Sequence, residues 1–371
     1  MPCVSLLVAL ALSVASCAGR GPQDANSPMR VAFFQDLSLE DSVELVSPSF
    51  LALELAVQEE GVGLPTRPAV VQFDTHGDAA VALTLAREIV ADPTYVVVVV
   101  APFWSPPSQV QVLFAAHGVP VISLSAADPP PSSGVWRRLV TSETAQASGL
   151  ASALDARTPA GDEPCLGDDG SFRAVALRAA VAAFLTGPTV PFTAAARDAG
   201  ELSAAISKIR TAGCRIVGWT GFPDGASALR NELTAAGLRG VTMVGSDAMK
   251  VRSYLGRAAG ADGTLVTCPC ADLTTSADPA AQRMVHDYQA ATGREPGVYA
   301  AEGWDVGGIL LGVIRRGART RGEVRVAVAA ITDASGVAGP YRFTAVGSIA
   351  SVAPRLYRAQ GLRWIAVPPN G

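Results

Sequence analysis

Lysine is almost missing from this chain: of 29 basic residues only Lys208 and Lys250 are lysines, and the rest are arginines. Set against 33 acidic residues the formal net charge is −4, and no basic stripe interrupts the sequence. That excludes the electrostatic footprint of a nucleic-acid binder. Histidine is as scarce, with only His76, His117 and His286, none beside a candidate nucleophile in the sequence. The G-x-S-x-G, H-E-x-x-H and phosphate-loop patterns are absent, so no familiar hydrolase or nucleotide site is written in the chain. We expect no enzyme, a secreted hydrolase using Asp168, Asp247 or Ser105 being the remote alternative. Charged residues reach only 17% against 49% hydrophobic, which describes a chain with a large core rather than a disordered one. Its 371 residues suit two domains at about 100–200 residues each.

What is present begins with an address. Residues 4–15 (VSLLVALALSVA) form an apolar run that is too short for a bilayer core of about 30 Å but has the length of a signal peptide's apolar region. VASC (14–17) then resembles the bacterial lipobox, which predicts removal of residues 1–16 and a lipidated Cys17. The plainer alternative is an ordinary secretory signal with Cys17 incidental. Residues 17–29 have the composition of a linker, as a tether from a membrane would. Export permits disulfides. With Cys3 and Cys17 set aside, Cys165, Cys214, Cys268 and Cys270 allow three pairings. A C-x-C pair without nearby His fits zinc spacing poorly, so neither a metal nor a cofactor is expected.

The mature chain alternates strands and helices. Strands are expected at 29–34, 69–73, 94–101 and 119–124, with helices at 49–60, 79–90 and 109–117 between them. TYVVVVVA (94–101) is a β-branched run buried on both faces, the mark of a central parallel strand. A second series follows a Pro/Gly-rich stretch at 158–164. It has strands near Cys165 and at 214–221, 241–246 and 263–268, with helices at 172–185, 199–212 and 225–236. The fold class is therefore α/β, two doubly wound parallel-sheet lobes, a clamshell with its ligand between them. In such sheets the ligand side is the carboxyl end of the strands. Ser105, followed by Pro106, reads there as a helix N-cap with proline at the first helical position, a place suited to a carboxylate. Trp104 reads as either a wall or a plug of the cleft. Asp168-Asp169-Gly170 reads as a strand-end turn, because calcium-loop spacing is absent.

Several stretches share the order and spacing of one family. They are QFDTHGDAAVALTLAREIVADP (72–93), the Ser105 segment and GVPVISLSAADP (118–129), followed by GDDGSF (167–172), GWTGFPDGASALRNELTAAGL (218–238) and VGSDAM (244–249). REPGVYAAEGWDVGGILLGVIRRG (294–317) and GPYRFTAVGS (339–348) complete the series. Over nearly all of 30–368 the chain resembles the type I periplasmic solute-binding proteins, in particular the branched-chain amino-acid (Leu/Ile/Val-binding) group of ABC importers. The resemblance implies lobe 1 at 30–143 plus 273–342 and lobe 2 at 144–272 plus 343–371, joined by a multi-strand hinge. It also implies a monomeric, extracytoplasmic protein that touches the membrane through its lipid anchor alone and delivers a small-molecule ligand to an ABC permease. A sensing or interaction module with the same fold is the alternative.

Residue by residue, the resemblance makes Ser105 the carboxylate-binding serine and gives the ligand's ammonium to the Ser125 carbonyl and to Asp247. Phe172 and Phe222 match aromatics, usually Tyr, that close over the ligand, and Tyr299 lies near the pocket rim. Trp104 and Ala127 complete the expected ligand set. Ala127 stands where the family usually has Thr or Ser, Pro106 and Pro107 remove further polar groups, and Asp247 is a methylene shorter than the usual Glu. These departures point to a ligand that is bulkier, less polar or not an amino acid at all. In a 2-1-3-4-5 sheet Cys165 and Cys214 begin neighbouring strands opposite the ligand and are expected to be bridged. Cys268 and Cys270 either pair with each other or stay free.

Overall fold

The computed structural model describes residues 28–39, 41–64, 66–126, 136–350 and 353–368. The leader, Cys17 and Ala127 lie outside the described residues. The chain opens with β1 (Arg30–Gln35), α1 (Ser42–Leu45), α2 (Ser47–Glu59), β2 (Ala69–Asp74), α3 (Ala79–Ala91), β3 (Tyr95–Val100), α4 (Ser108–Ala116), β4 (Val121–Ser123) and β5 (Trp136–Arg138). It continues with α5 (Glu143–Asp155), β6 (Cys165–Asp168), α6 (Phe172–Phe184), β7 (Val190–Thr193), α7 (Ala199–Ala212), β8 (Ile216–Trp219), α8 (Pro223–Ala235), β9 (Thr242–Gly245), α9 (Arg252–Arg257) and β10 (Leu265–Cys268). Then come α10 (Pro279–Thr292), α11 (Ala300–Arg315), α12 (Arg321–Ala329), a small hairpin of β11 (Asp333–Ser335) and β12 (Pro340–Arg342), and finally β13 (Arg355–Gln360) and β14 (Arg363–Ala366).

Two α/β lobes result. The first has a parallel sheet in the order β2-β1-β3-β4-β5, and the second runs β14-β13-β10-β9-β8-β6-β7. Every residue of β3 is buried, as a valine run at the centre of a parallel sheet must be when helices cover both faces. The second sheet is parallel from β7 to β10 and then turns antiparallel, with Leu265 opposite Arg358 and Cys268 opposite Arg355. The chain thus passes between the lobes after β5, after β10 and after β12. On the first return, α11 packs along α2 so closely that a Cβ on Gly303 would fall 2.2 Å from the Ser49 carbonyl oxygen. Among the described residues no helix is long and apolar enough to cross a membrane.

Helix starts follow from local chemistry. Asp78, Ser142, Ser171 and Asp198 each cap the helix that follows by accepting from its backbone N–H groups. The expectation for Ser105 is corrected. α4 begins at Ser108 after Pro107, with no side-chain cap, and Ser105 lies outside the helix. The Pro106-Pro107 pair is the cause, since a residue before proline is pushed out of helical geometry and Ser105 and Pro106 are both so placed.

Both cysteine pairs are bonded, Cys165 to Cys214 across 49 residues and Cys268 to Cys270 across two. The first joins the amino ends of neighbouring strands, away from the strand ends that face the other lobe. Because this bridge restrains a long loop in the unfolded chain, replacing Cys165 and Cys214 by Ala is expected to lower unfolding free energy by roughly 2–4 kcal/mol. Urea unfolding of the double variant checks this, and an unchanged midpoint would refute it.

Candidate functional site

The carboxyl ends of the two sheets face each other. From the first lobe, Phe103 and Ser105 follow β3, Ser125 follows β4, and Tyr299 caps α11. From the second, Gln146 and Arg173 lie in the first turns of α5 and α6, and Asp247 opens a short 3-10 turn after β9. These side chains line one small cavity of about 10 Å³, with Glu143 beside them. That volume holds about one water molecule.

Asp247 is the centre of the arrangement and only 2% exposed. Its Oδ1 accepts from Arg173 Nη2 at 2.9 Å and from the Ala248 N–H at 3.0 Å, and its Oδ2 accepts from the Tyr299 hydroxyl at 2.6 Å. Burial is the largest single influence on Arg173 and lowers its pKa, but the charge and hydrogen bond of Asp247, with Tyr299 and Glu143, together outweigh it and hold the guanidinium above its ordinary value. Burial, then the neighbouring Asp247 charge, push the Tyr299 phenol well above its ordinary range. The guanidinium also lies over the Phe103 ring at 5.3 Å, and Phe103 meets Tyr299 edge-on at 5.5 Å. Among the described residues, Phe103 and Tyr299 are two of the three non-glycine residues with positive φ, at 62° and 59°. Backbone held in that costly region by its surroundings is characteristic of binding sites.

The structure brings Ser105, Ser125, Asp247 and Tyr299 to this cavity. Ser105 is exposed there, and the Ser125 carbonyl accepts the Ser123 hydroxyl at 3.3 Å. Three expected residues are elsewhere. Trp104 is in the first-lobe core, edge-on to Phe34 at 5.2 Å, because the left-handed turn at Phe103 sends the next side chain inward. Phe172 is 94% exposed, and it is the following residue, Arg173, that reaches the cavity. Phe222 lines a separate cavity of about 340 Å³, with Leu39, Asp41 and Leu45 on one side and Asp169 and Ala195 on the other. At its edge Arg257 bonds Asp41 across the lobes at 2.8 Å and also pairs with Asp224 in its own lobe. Sequence reasoning passed over Phe103, Glu143, Gln146 and Arg173. Phe103 and Arg173 each adjoin a residue that was singled out, which was the available signal. Asp168 Oδ1 accepts from the Gly170 N–H at 2.9 Å, the strand-end turn expected there.

Where the chain recrosses after β10 and β12, a second polar cluster gathers on the first turns of α11. Glu302 accepts from the Ala271 N–H at 2.7 Å, and Asp305 accepts from Val337 N, Ala338 N and the Tyr341 hydroxyl. Burial raises Glu302 to about 7 and Asp305 to about 6. Among the described residues no group of acidic, histidine and cysteine side chains could hold a metal ion.

Residues 29–361 match the sequence model of a family described as periplasmic binding protein. The chain belongs to that family. Solved structures agree on the type I fold of this binding protein. LivJ from Streptococcus pneumoniae, in complex with isoleucine, is 18% identical, covers 92% of this chain and 100% of its own, and superposes with a TM-score of 0.77. The leucine-binding protein LivK from Thermotoga maritima is 16% identical, with coverage of 92% and 99% and a TM-score of 0.74. A solute-binding protein from R. palustris, in complex with benzoate, is 18% identical, with coverage of 92% and 96% and a TM-score of 0.72. No curated protein sequence matches the chain.

Proposed function

We propose that this chain is an extracytoplasmic solute-binding lipoprotein that captures a small amphipathic molecule between its lobes and hands it to an ABC permease. The observation that carries this reading is the convergence of Asp247, Ser105 and Ser125 from three strand ends, and of Tyr299 from the start of α11, on one cavity lined by both lobes. Strand carboxyl ends at a lobe interface are where α/β proteins hold ligands. The family match supports transport rather than catalysis, and the leader with Cys17 supports export and a lipid anchor at the outer face of the membrane. The crossings after β5, β10 and β12 serve as the hinge, dividing the lobes near residues 143, 273 and 342. Neighbours of this fold hold isoleucine in one case and benzoate in another, so an apolar body with a carboxylate is the shared ligand chemistry to test first.

A thermal-shift screen of amino acids, amides and small carboxylates tests the reading. A ligand at 100 times its Kd adds about 2.7 kcal/mol, which is expected to raise Tm by several degrees. A screen without a single saturable shift would sink it.

A further inference from the structure

The geometry points to a small organic acid that carries no ammonium group as the ligand class, its carboxylate held by Arg173 and Gln146. This inference rests on the solute-binding reading above and concerns which solute the cleft accepts.

The argument is a census of donors and acceptors at the cavity. The acceptors best placed for an ammonium already carry hydrogen bonds from the chain itself, and the Asp247 charge is paired with Arg173. Both oxygens of Asp247 take hydrogen bonds, from Arg173, Ala248 and Tyr299, and the Ser125 carbonyl takes the Ser123 hydroxyl. Glu143, the other carboxylate of the lining, is exposed. The donors, by contrast, are in surplus. Of the Arg173 nitrogens, Nη2 alone has a hydrogen-bonded partner among the described residues, although a guanidinium carries five N–H donors in a fork that matches a carboxylate. Gln146 lines the same cavity, is 5% exposed, and its Nε2 has no partner. A buried amide donor left open costs free energy unless something accepts from it. A carboxylate would satisfy Gln146 Nε2 and the free edge of Arg173 together without disturbing Asp247. The N-terminal turns of α5 and α6, which carry these two residues, add favourable potential for an anion.

An amino-acid zwitterion meets the opposite conditions. Its ammonium meets an Asp247 whose charge is already paired with Arg173, so it would bring a second cation to one buried carboxylate. Phe103 and Tyr299, packed edge-on beside the guanidinium, offer an apolar wall to the remainder of the acid.

L-Leucine and 4-methyl-2-oxopentanoate share a carbon skeleton and a carboxylate and differ at the carbon that bears either the ammonium or a carbonyl. Titration calorimetry of the mature chain is expected to show the oxo acid binding at least tenfold tighter than leucine. Arg173→Gln and Gln146→Leu are each expected to weaken the oxo acid at least tenfold, read against each variant's own ligand-free melting curve so that loss of fold is seen separately. Leucine binding as tightly as the oxo acid, or either variant keeping full oxo-acid affinity, overturns the inference and leaves the transport reading standing. Binding of neither probe overturns the inference as well, and silence across the whole screen of amino acids, amides and carboxylates overturns the transport reading with it.

Discussion

Asp247→Ala is expected to lower the unfolding free energy by roughly 3–5 kcal/mol, the usual loss when one partner of a buried ion pair is removed. Asp247 is 2% exposed and the Arg173 side chain 18%, so the cation left behind cannot recover a full shell of water. The truncation also strands the buried Tyr299 hydroxyl, which donates to the same carboxylate. Replacing both members by apolar residues removes the stranded charge. Asp247→Ala combined with Arg173→Met is therefore expected to be markedly more stable than Asp247→Ala alone. Urea unfolding of the two single variants and the double variant makes the comparison. Additive losses, or a loss below about 1 kcal/mol in Asp247→Ala, would show that the pair is not coupled as described.

Acid is expected to stabilise the fold relative to neutral solution, by roughly 3–5 kcal/mol between pH 5 and pH 8. Glu302 and Asp305 are each 3% exposed. Burial holds their protons to about 7 and about 6, against ordinary values of 4.5 and 3.8. Between the unfolded and folded values the native chain binds more protons than the unfolded one. Stability therefore falls as pH climbs through this window and levels off above about 7. Carboxylates whose pKa is lowered, such as Asp92 and Glu323, act in the opposite sense, but below their ordinary values and so under about pH 5. Denaturation midpoints at the two pH values test the claim, with Glu302→Gln as control. The amide keeps an acceptor for the Ala271 N–H and is expected to flatten much of the slope. A protein as stable at pH 8 as at pH 5 would contradict the assignment.

Much of the fold was legible in the chain. The valine run became the fully buried β3, and the expected helix at 199–212 is α7, because alternation and period report burial directly. Cys165 and Cys214 could be paired once their strands were placed side by side. What escaped were features set at long range or by a single dihedral angle. The antiparallel pairing of β13 with β10 joins segments separated by the whole return through the first lobe, and no local pattern announces it. At the site, a positive φ at Phe103 decides that Phe103 and not Trp104 faces the cleft. In the first turn of α6 consecutive side chains point about a quarter-turn or more apart, so the wall is made by Arg173 while Phe172 faces solvent. Ser105 lines the cavity but is not the helix N-cap expected of it, since two prolines move the helix start beyond it.

One asymmetry governs how the jaws can move. Arg173 and Asp247 ride together on the second lobe, as do Arg257 and Asp224, whereas Tyr299, Phe103 and Asp41 stay with the first. Swinging the halves apart would part the Tyr299 phenol from the Asp247 carboxylate, the Phe103 ring from Arg173 and the Asp41 carboxylate from Arg257, yet would orphan no guanidinium. Each arginine travels with a counter-ion of its own. Of the charged groups at these contacts, only the Asp41 carboxylate would leave its counter-ion behind.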